Sequence, residues 1–140
     1  MSEKIETIKK WVVIADQDLG TAITIYAQIP KYKETIAFHC QQAVEKYLKA
    51  FLIFLDIEFK RSHDLVYLLG LISDKVEISD ALFDKTNILK SFAVQIRYPD
   101  IIIDLSDEDL QLSIGIAREF RAIILEKLPV DIDFDEGVKL

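Results

Sequence analysis

The segment Ala37 to Leu52, AFHCQQAVEKYLKAFL, constrains the fold more than any other part of the chain. Its apolar residues recur at spacings of three and four, the signature of an α-helix. With Cys40 set at zero and each residue advanced by about 100°, Ile36, Cys40, Ala43, Val44, Tyr47, Phe51, Phe54 and Leu55 fall within about 60° of one direction. Leu48 and Leu52 carry the apolar arc past half of the circumference, and the arc engulfs Gln41. Glu45 lies at its edge one turn on from Gln41, His39 and Lys46 mark the opposite edge, and Lys49 and Gln42 point away. Exposed apolar area of this extent marks a contact with another molecule. The pattern therefore predicts one face on the chain's own core and another on a second surface such as another subunit. A plainer reading has Gln41 bonded to a neighbouring helix and Glu45 paired with Lys49 at i,i+4, a pair that contributes only about 0.2–0.5 kcal/mol.

The same periodicity runs through the rest of the chain. A first helix over about 3–28 places Ile5, Ile8, Val12, Ala15, Leu19, Ala22, Ile23 and Tyr26 on one face, and Pro30 stops it. The second runs over about 33–56 and ends in the loop IEFKRS. A short third, about 64–74, turns Leu65, Leu68, Leu69 and Ile72 inward, with Asp64 in its first turn where it suits the helix dipole. Ser79 caps a fourth, about 80–97, which ends near Arg97 because Pro99 biases Tyr98 away from helical angles. Ser106 with Asp109 fits a capping box for a fifth, about 106–127, closed by Pro129. IIID at 101–104 has no pairing partner and reads as an extended connector. Four Gly and three Pro leave little room for a loop-rich fold. The expectation is an all-α, up-and-down four-helix bundle with an additional short helix. Residues 1–128 form that domain, and 129–140 form an acidic, flexible tail.

Charge and cysteine usage narrow the function classes. A single cysteine, Cys40, excludes an internal disulfide or a cysteine-built zinc site. The longest apolar run, AFLIFL, is far short of the roughly 18 residues a membrane span needs. No secretory signal is visible in MSEKIETIKK, and a cytoplasmic location is expected. The net charge of −7 disfavours a nucleic-acid partner, since a phosphate backbone rewards clustered Lys and Arg. The charge is uneven: residues 31–63 carry a net of +2 and residues 106–140 a net of −5. No phosphate loop, dinucleotide fingerprint or nucleophile elbow occurs, and no cofactor or metal is expected.

Several stretches together resemble a known family. Trp11, Ala15, Asp18 and Leu19 in W-x3-A-x2-DL, then FHCQQAVEKYLKAFL, SHDLVYLL and RYPD, are similar to a HEPN domain, named for a nucleotide-binding domain of higher eukaryotes and prokaryotes. The resemblance covers nearly the whole chain up to about residue 128. It implies a bundle of four main helices plus a short one, commonly paired as a homodimer. It implies further that a minimal nucleotidyltransferase is a candidate partner, often within a toxin–antitoxin pair. Catalytic members are metal-independent RNases with Arg-x4–6-His at the end of the late helix, whereas others bind nucleotides or partner proteins.

Arg97 matches the family's arginine, but positions 102 to 104 are Ile102, Ile103 and Asp104, and no histidine follows His63. Cleaving RNA without a metal needs proton transfer near neutral pH, which imidazole supplies. Aspartate, with an intrinsic pKa of about 3.9, is a poor replacement. The reading is a non-catalytic, homodimeric binding module that takes a nucleotide or partners a nucleotidyltransferase. The alternatives are an RNase toxin with a degenerate motif and a purely structural dimerisation subunit.

The candidate ligand-binding residues are Arg97, Tyr98, Gln41, Glu45, Lys49 and His63. Each has a plainer role. Arg97 complements a helix C-terminus or bonds Asp100, or else grips a phosphate with its planar fork. Tyr98 covers the bundle end or stacks on a base. His63 is a loop histidine beside a helix-start acid, or one member of a small basic cluster with Lys60 and Arg61.

Overall fold

The computed structural model describes residues 2–93, 104–129 and 140. Five helices occur among them: α1 (Ser2–Gln28), α2 (Lys33–Phe54), α3 (Leu65–Ser73), α4 (Asp80–Ala93) and α5 (Asp107–Lys127). No strand occurs among the described residues. The chain folds as an all-α bundle of four main helices with the short α3 added. The expected end of the fourth helix at Arg97 and the connector at 101–103 lie outside the described residues, as do residues 130–139 of the tail.

Local chemistry explains where the helices begin and end. Asp56 adopts a φ of 58°. Its N–H donates to the Ile53 carbonyl at 3.1 Å, and the Ile57 N–H donates to that of Leu52 at 3.0 Å. These two bonds form a Schellman motif with aspartate in the left-handed position that glycine usually takes. This is why α2 stops at Phe54 rather than at the expected Asp56. Lys4 of α1 holds the Asp56 carboxylate at 3.0 Å. Asp64 stands just outside α3 and not in its first turn, because its carboxylate accepts the N–H groups of Val66 and Tyr67 as an N-cap. Ser106 and Asp109 form the expected capping box on α5, at 3.1 and 2.9 Å.

The position of α2 corrects the reading of its wide apolar arc. α2 packs against α1, α3, α4 and α5. Ile36, Cys40, Ala43, Val44, Tyr47, Leu48, Phe51 and Leu52 are all buried in one core with Leu19, Leu68, Leu89 and Phe120. Among the described residues the large exposed apolar side chains are Val13, Ile14, Ile29, Tyr32 and Leu112, and none belongs to α2. Four helices of the same chain cover what the sequence left for a second subunit. α2 is the bundle's central rod, so the breadth of its arc does not argue for a second chain.

Candidate functional site

Four of the six residues singled out from the sequence meet at one place. The Gln41 side-chain amide donates to the His63 carbonyl at 3.1 Å. Glu45 Oε1 lies 2.9 Å from His63 Nδ1, and Lys49 Nζ donates to Glu45 Oε2 at 3.0 Å. The Lys49 ammonium also sits 5.4 Å from the centroid of the Trp11 ring, a cation–π contact. Glu45 is 2% exposed and Lys49 5%. Lys49, read as pointing away from the core, is therefore buried. The side of α2 opposite Cys40 is roofed by Trp11 of α1 and by the chain returning through His63, so a lysine there has no open solvent to reach.

Each charge in this cluster has a reason to be there. A buried carboxylate is costly unless paired and hydrogen-bonded. Glu45 meets that requirement with one oxygen on an ammonium and the other on an imidazole. The result ties the end of the α2–α3 loop to the middle of α2. His63 is the outward member, with its side chain 67% exposed. Its partner is Glu45, eighteen residues back in the chain, rather than the adjacent Asp64. Arg97 and Tyr98 lie outside the described residues.

Two further polar clusters join α1 to its neighbours. Asp16 Oδ1 accepts from the Tyr47 hydroxyl and from Arg121 Nε at 2.9 Å. Tyr47 is fully buried. Burial, followed by the Asp16 carboxylate, pushes its hydroxyl far above the ordinary tyrosine range. Asp18 takes His39 Nδ1 at 2.8 Å and the Lys46 ammonium on its other oxygen. Neither cluster was read from the sequence. A tyrosine on an apolar arc needs a partner for its hydroxyl, which pointed toward a polar residue beside the core stripe of α1. Arg121, 105 residues from Asp16, had no such signal. Cys40 is buried, and burial pushes its thiol up to about 12, against a small opposing effect of Arg118. Such a thiol is inert.

Asp18 gives a pH prediction. Burial alone raises its pKa, but hydrogen bonds from His39 and Lys46, with their charges, outweigh burial and leave it below the usual aspartate range. A carboxyl whose folded pKa is depressed contributes stability above its unfolded pKa of about 3.9 and loses it as pH falls through the folded value. Urea melts from pH 6 down to pH 3 should show the gap between the native chain and Asp18→Asn closing below about pH 4. A gap independent of pH would contradict the assignment.

A groove of about 400 Å³ runs between α1 and α5, lined by Ile23, Tyr26, Gln111, Ile114, Gly115 and Arg118. Tyr26 donates to Asp107 at 2.6 Å, and the Gln111 amide donates to the Tyr26 hydroxyl and to Asp107 at 3.1 and 2.7 Å. Among the described residues no three His, Cys, Asp or Glu side chains group as metal ligands would.

Comparison with known proteins decides the family. The HEPN domain model matches residues 8–128. The chain belongs to the HEPN domain family. The crystal structure of an archaeal HEPN homologue superposes with a TM-score of 0.68 at 24% identity, covering 86% of this chain and 96% of that one. The crystal structure of TT1696 from Thermus thermophilus superposes with a TM-score of 0.75 at 20% identity, covering 86% and 98%. At these identities the two structures speak for the HEPN fold alone. No curated protein matches the chain. No helix among the described residues is long and apolar enough to cross a membrane.

Proposed function

We propose that this HEPN chain is a non-catalytic binding module, working as a homodimer that takes a nucleotide or engages a nucleotidyltransferase. The observation that carries this reading is at Asp104, the last position at which the RNase motif places its histidine. Asp104 Oδ1 lies 3.3 Å from Lys33 Nζ. A carboxylate paired with an ammonium is an acceptor and a poor proton donor to a leaving oxygen. Both histidines of the chain are elsewhere, His39 on Asp18 and His63 on Glu45. Pairing follows the habit of HEPN domains, and Val13, Ile14 and Leu112, each more than 40% exposed, offer apolar surface for it.

Light scattering coupled to size exclusion, together with calorimetry against ATP, GTP and nucleoside monophosphates, tests the proposal. The expected result is twice the chain mass and a measurable heat with at least one nucleotide. A monomer that binds no nucleotide and copurifies with no nucleotidyltransferase would overturn it. One observation favours the RNase alternative: His63 is an exposed imidazole oriented by the buried Glu45 carboxylate. His63→Ala tests that alternative, since it removes any cleavage that depends on the pair.

A further inference from the structure

The sequence after Pro129 begins VDIDFDE, with an apolar side chain at every second position and a carboxylate between. In an extended chain successive side chains point to opposite faces. Val130, Ile132 and Phe134 would then share one edge and Asp131, Asp133 and Asp135 the other. A segment of this pattern fits an apolar strip with a cation beside it. The residues that flank it return to the bundle: Leu128 is buried, and Leu140 packs against the core.

The α1–α5 groove has the matching form. Ile23 and Ile114 supply an apolar strip. Arg118 at its side is exposed and makes no hydrogen bond or ion pair among the described residues. The distances agree. α5 ends at Lys127, and Arg118 lies about 14 Å back along the helix axis. A chain that leaves Pro129 and runs back along α5 at about 3.3 Å per residue covers this in about four residues. Asp133 then meets Arg118, and Phe134 comes beside Gly115. The order of charge agrees as well. Past its carboxylates the tail carries Lys139, and past Arg118 the groove leads to the acidic first turn of α5, Asp107, Glu108 and Asp109. Lys139 is about 33 Å of extended chain from Pro129, and Asp107 is about 30 Å of helix from Lys127. Opposite charges therefore meet at both ends of an antiparallel run.

We infer that residues 130–139 dock along the α1–α5 groove of their own chain, antiparallel to α5, with Val130, Ile132 and Phe134 on the apolar strip and Asp133 on Arg118. The covalent tether holds the segment at high effective concentration over this groove, which favours it over the same segment of another molecule. The tail is thus a built-in occupant, and any other ligand of the groove binds in competition with it. The inference stands apart from the nucleotide and nucleotidyltransferase readings of the proposed function.

The test is disulfide trapping in the full chain. Gly115→Cys with Phe134→Cys is compared with Gly70→Cys with Phe134→Cys. A side chain at either glycine meets no atom within 4 Å, so the two positions are equally open, and the native Cys40 is buried. Under mild oxidation the Gly115 pair should close an intramolecular disulfide at least about tenfold faster than the Gly70 pair, read as a faster band on a non-reducing gel. Adding Arg118→Glu should slow the Gly115 pair by about threefold, the share of one exposed ion pair. Adding Asp133→Lys to that variant should restore the rate. Equal rates for the two pairs would overturn the inference. Covalent dimers as the main product would also overturn it, since they would place the tail on a second copy. A Gly115 rate unchanged by Arg118→Glu would overturn the register that sets Asp133 on Arg118.

Discussion

Glu45→Ala is expected to destabilise the domain by about 3–5 kcal/mol, among the largest effects of any single substitution in this chain. The reason is the burial of both partners. Removing the carboxylate leaves the Lys49 ammonium 5% exposed, facing the Trp11 ring, and leaves Gln41 as the remaining hold of α2 on His63. For a domain of 140 residues this lowers Tm by roughly 10 °C or more. The matching double variant, Glu45→Leu with Lys49→Met, removes both charges and keeps the volume. It is expected to recover to within about 1 kcal/mol of the native chain, because a buried ion pair offers little net advantage over apolar packing. The loop through His63 would still lose its carboxylate anchor, and amide exchange over residues 57–63 should speed up in both variants. Thermal and urea melts decide the point. A single variant that loses less than about 1 kcal/mol would show that the pair behaves as a surface contact.

The second large effect belongs to Asp16. Asp16→Ala leaves the Tyr47 hydroxyl buried without its acceptor and takes from Arg121 its 2.9 Å bond across to α1. The expected cost is about 3 kcal/mol, the sum of a charged hydrogen bond and an unsatisfied buried donor. Tyr47→Phe removes only the hydroxyl and should cost about 1–2 kcal/mol. Because the two residues share one bond, the double variant should be less destabilised than the separate losses suggest, with a coupling of about 1 kcal/mol or more. Strict additivity would mean that Asp16 acts through Arg121 alone.

The helices were legible because their signals are local. Apolar spacing, Pro30, Ser79, Ser106 with Asp109, and Pro129 each act within a turn or two, and within the described residues the five helices lie where they put them. Two described boundaries moved where a cap acted from outside its element: Asp56 ends α2 early by taking a left-handed conformation, and Asp64 caps α3 from outside. The circumference of α2 was legible as an angle but not as a neighbourhood. A helix apolar over more than half its surface reads the same whether four helices of its own chain or a second chain cover it. Which applies depends on topology, and topology rests on contacts such as Asp16 with Arg121, 105 residues apart.

The polar cluster shows the same limit in a smaller space. Gln41, Glu45 and Lys49 were found by helical spacing, and the Glu45–Lys49 pair at i,i+4 is present as the plainer reading had it. Its depth was not legible, because Trp11 and His63 come from other parts of the chain to cover Lys49.

The central claim is that this chain binds rather than cleaves. The direct measurement incubates the purified protein with end-labelled tRNA and mRNA in the presence of a chelator, beside Arg97→Ala and His63→Ala. All three should leave the RNA as intact as buffer does. Cleavage by the native protein that disappears in either variant would contradict the account.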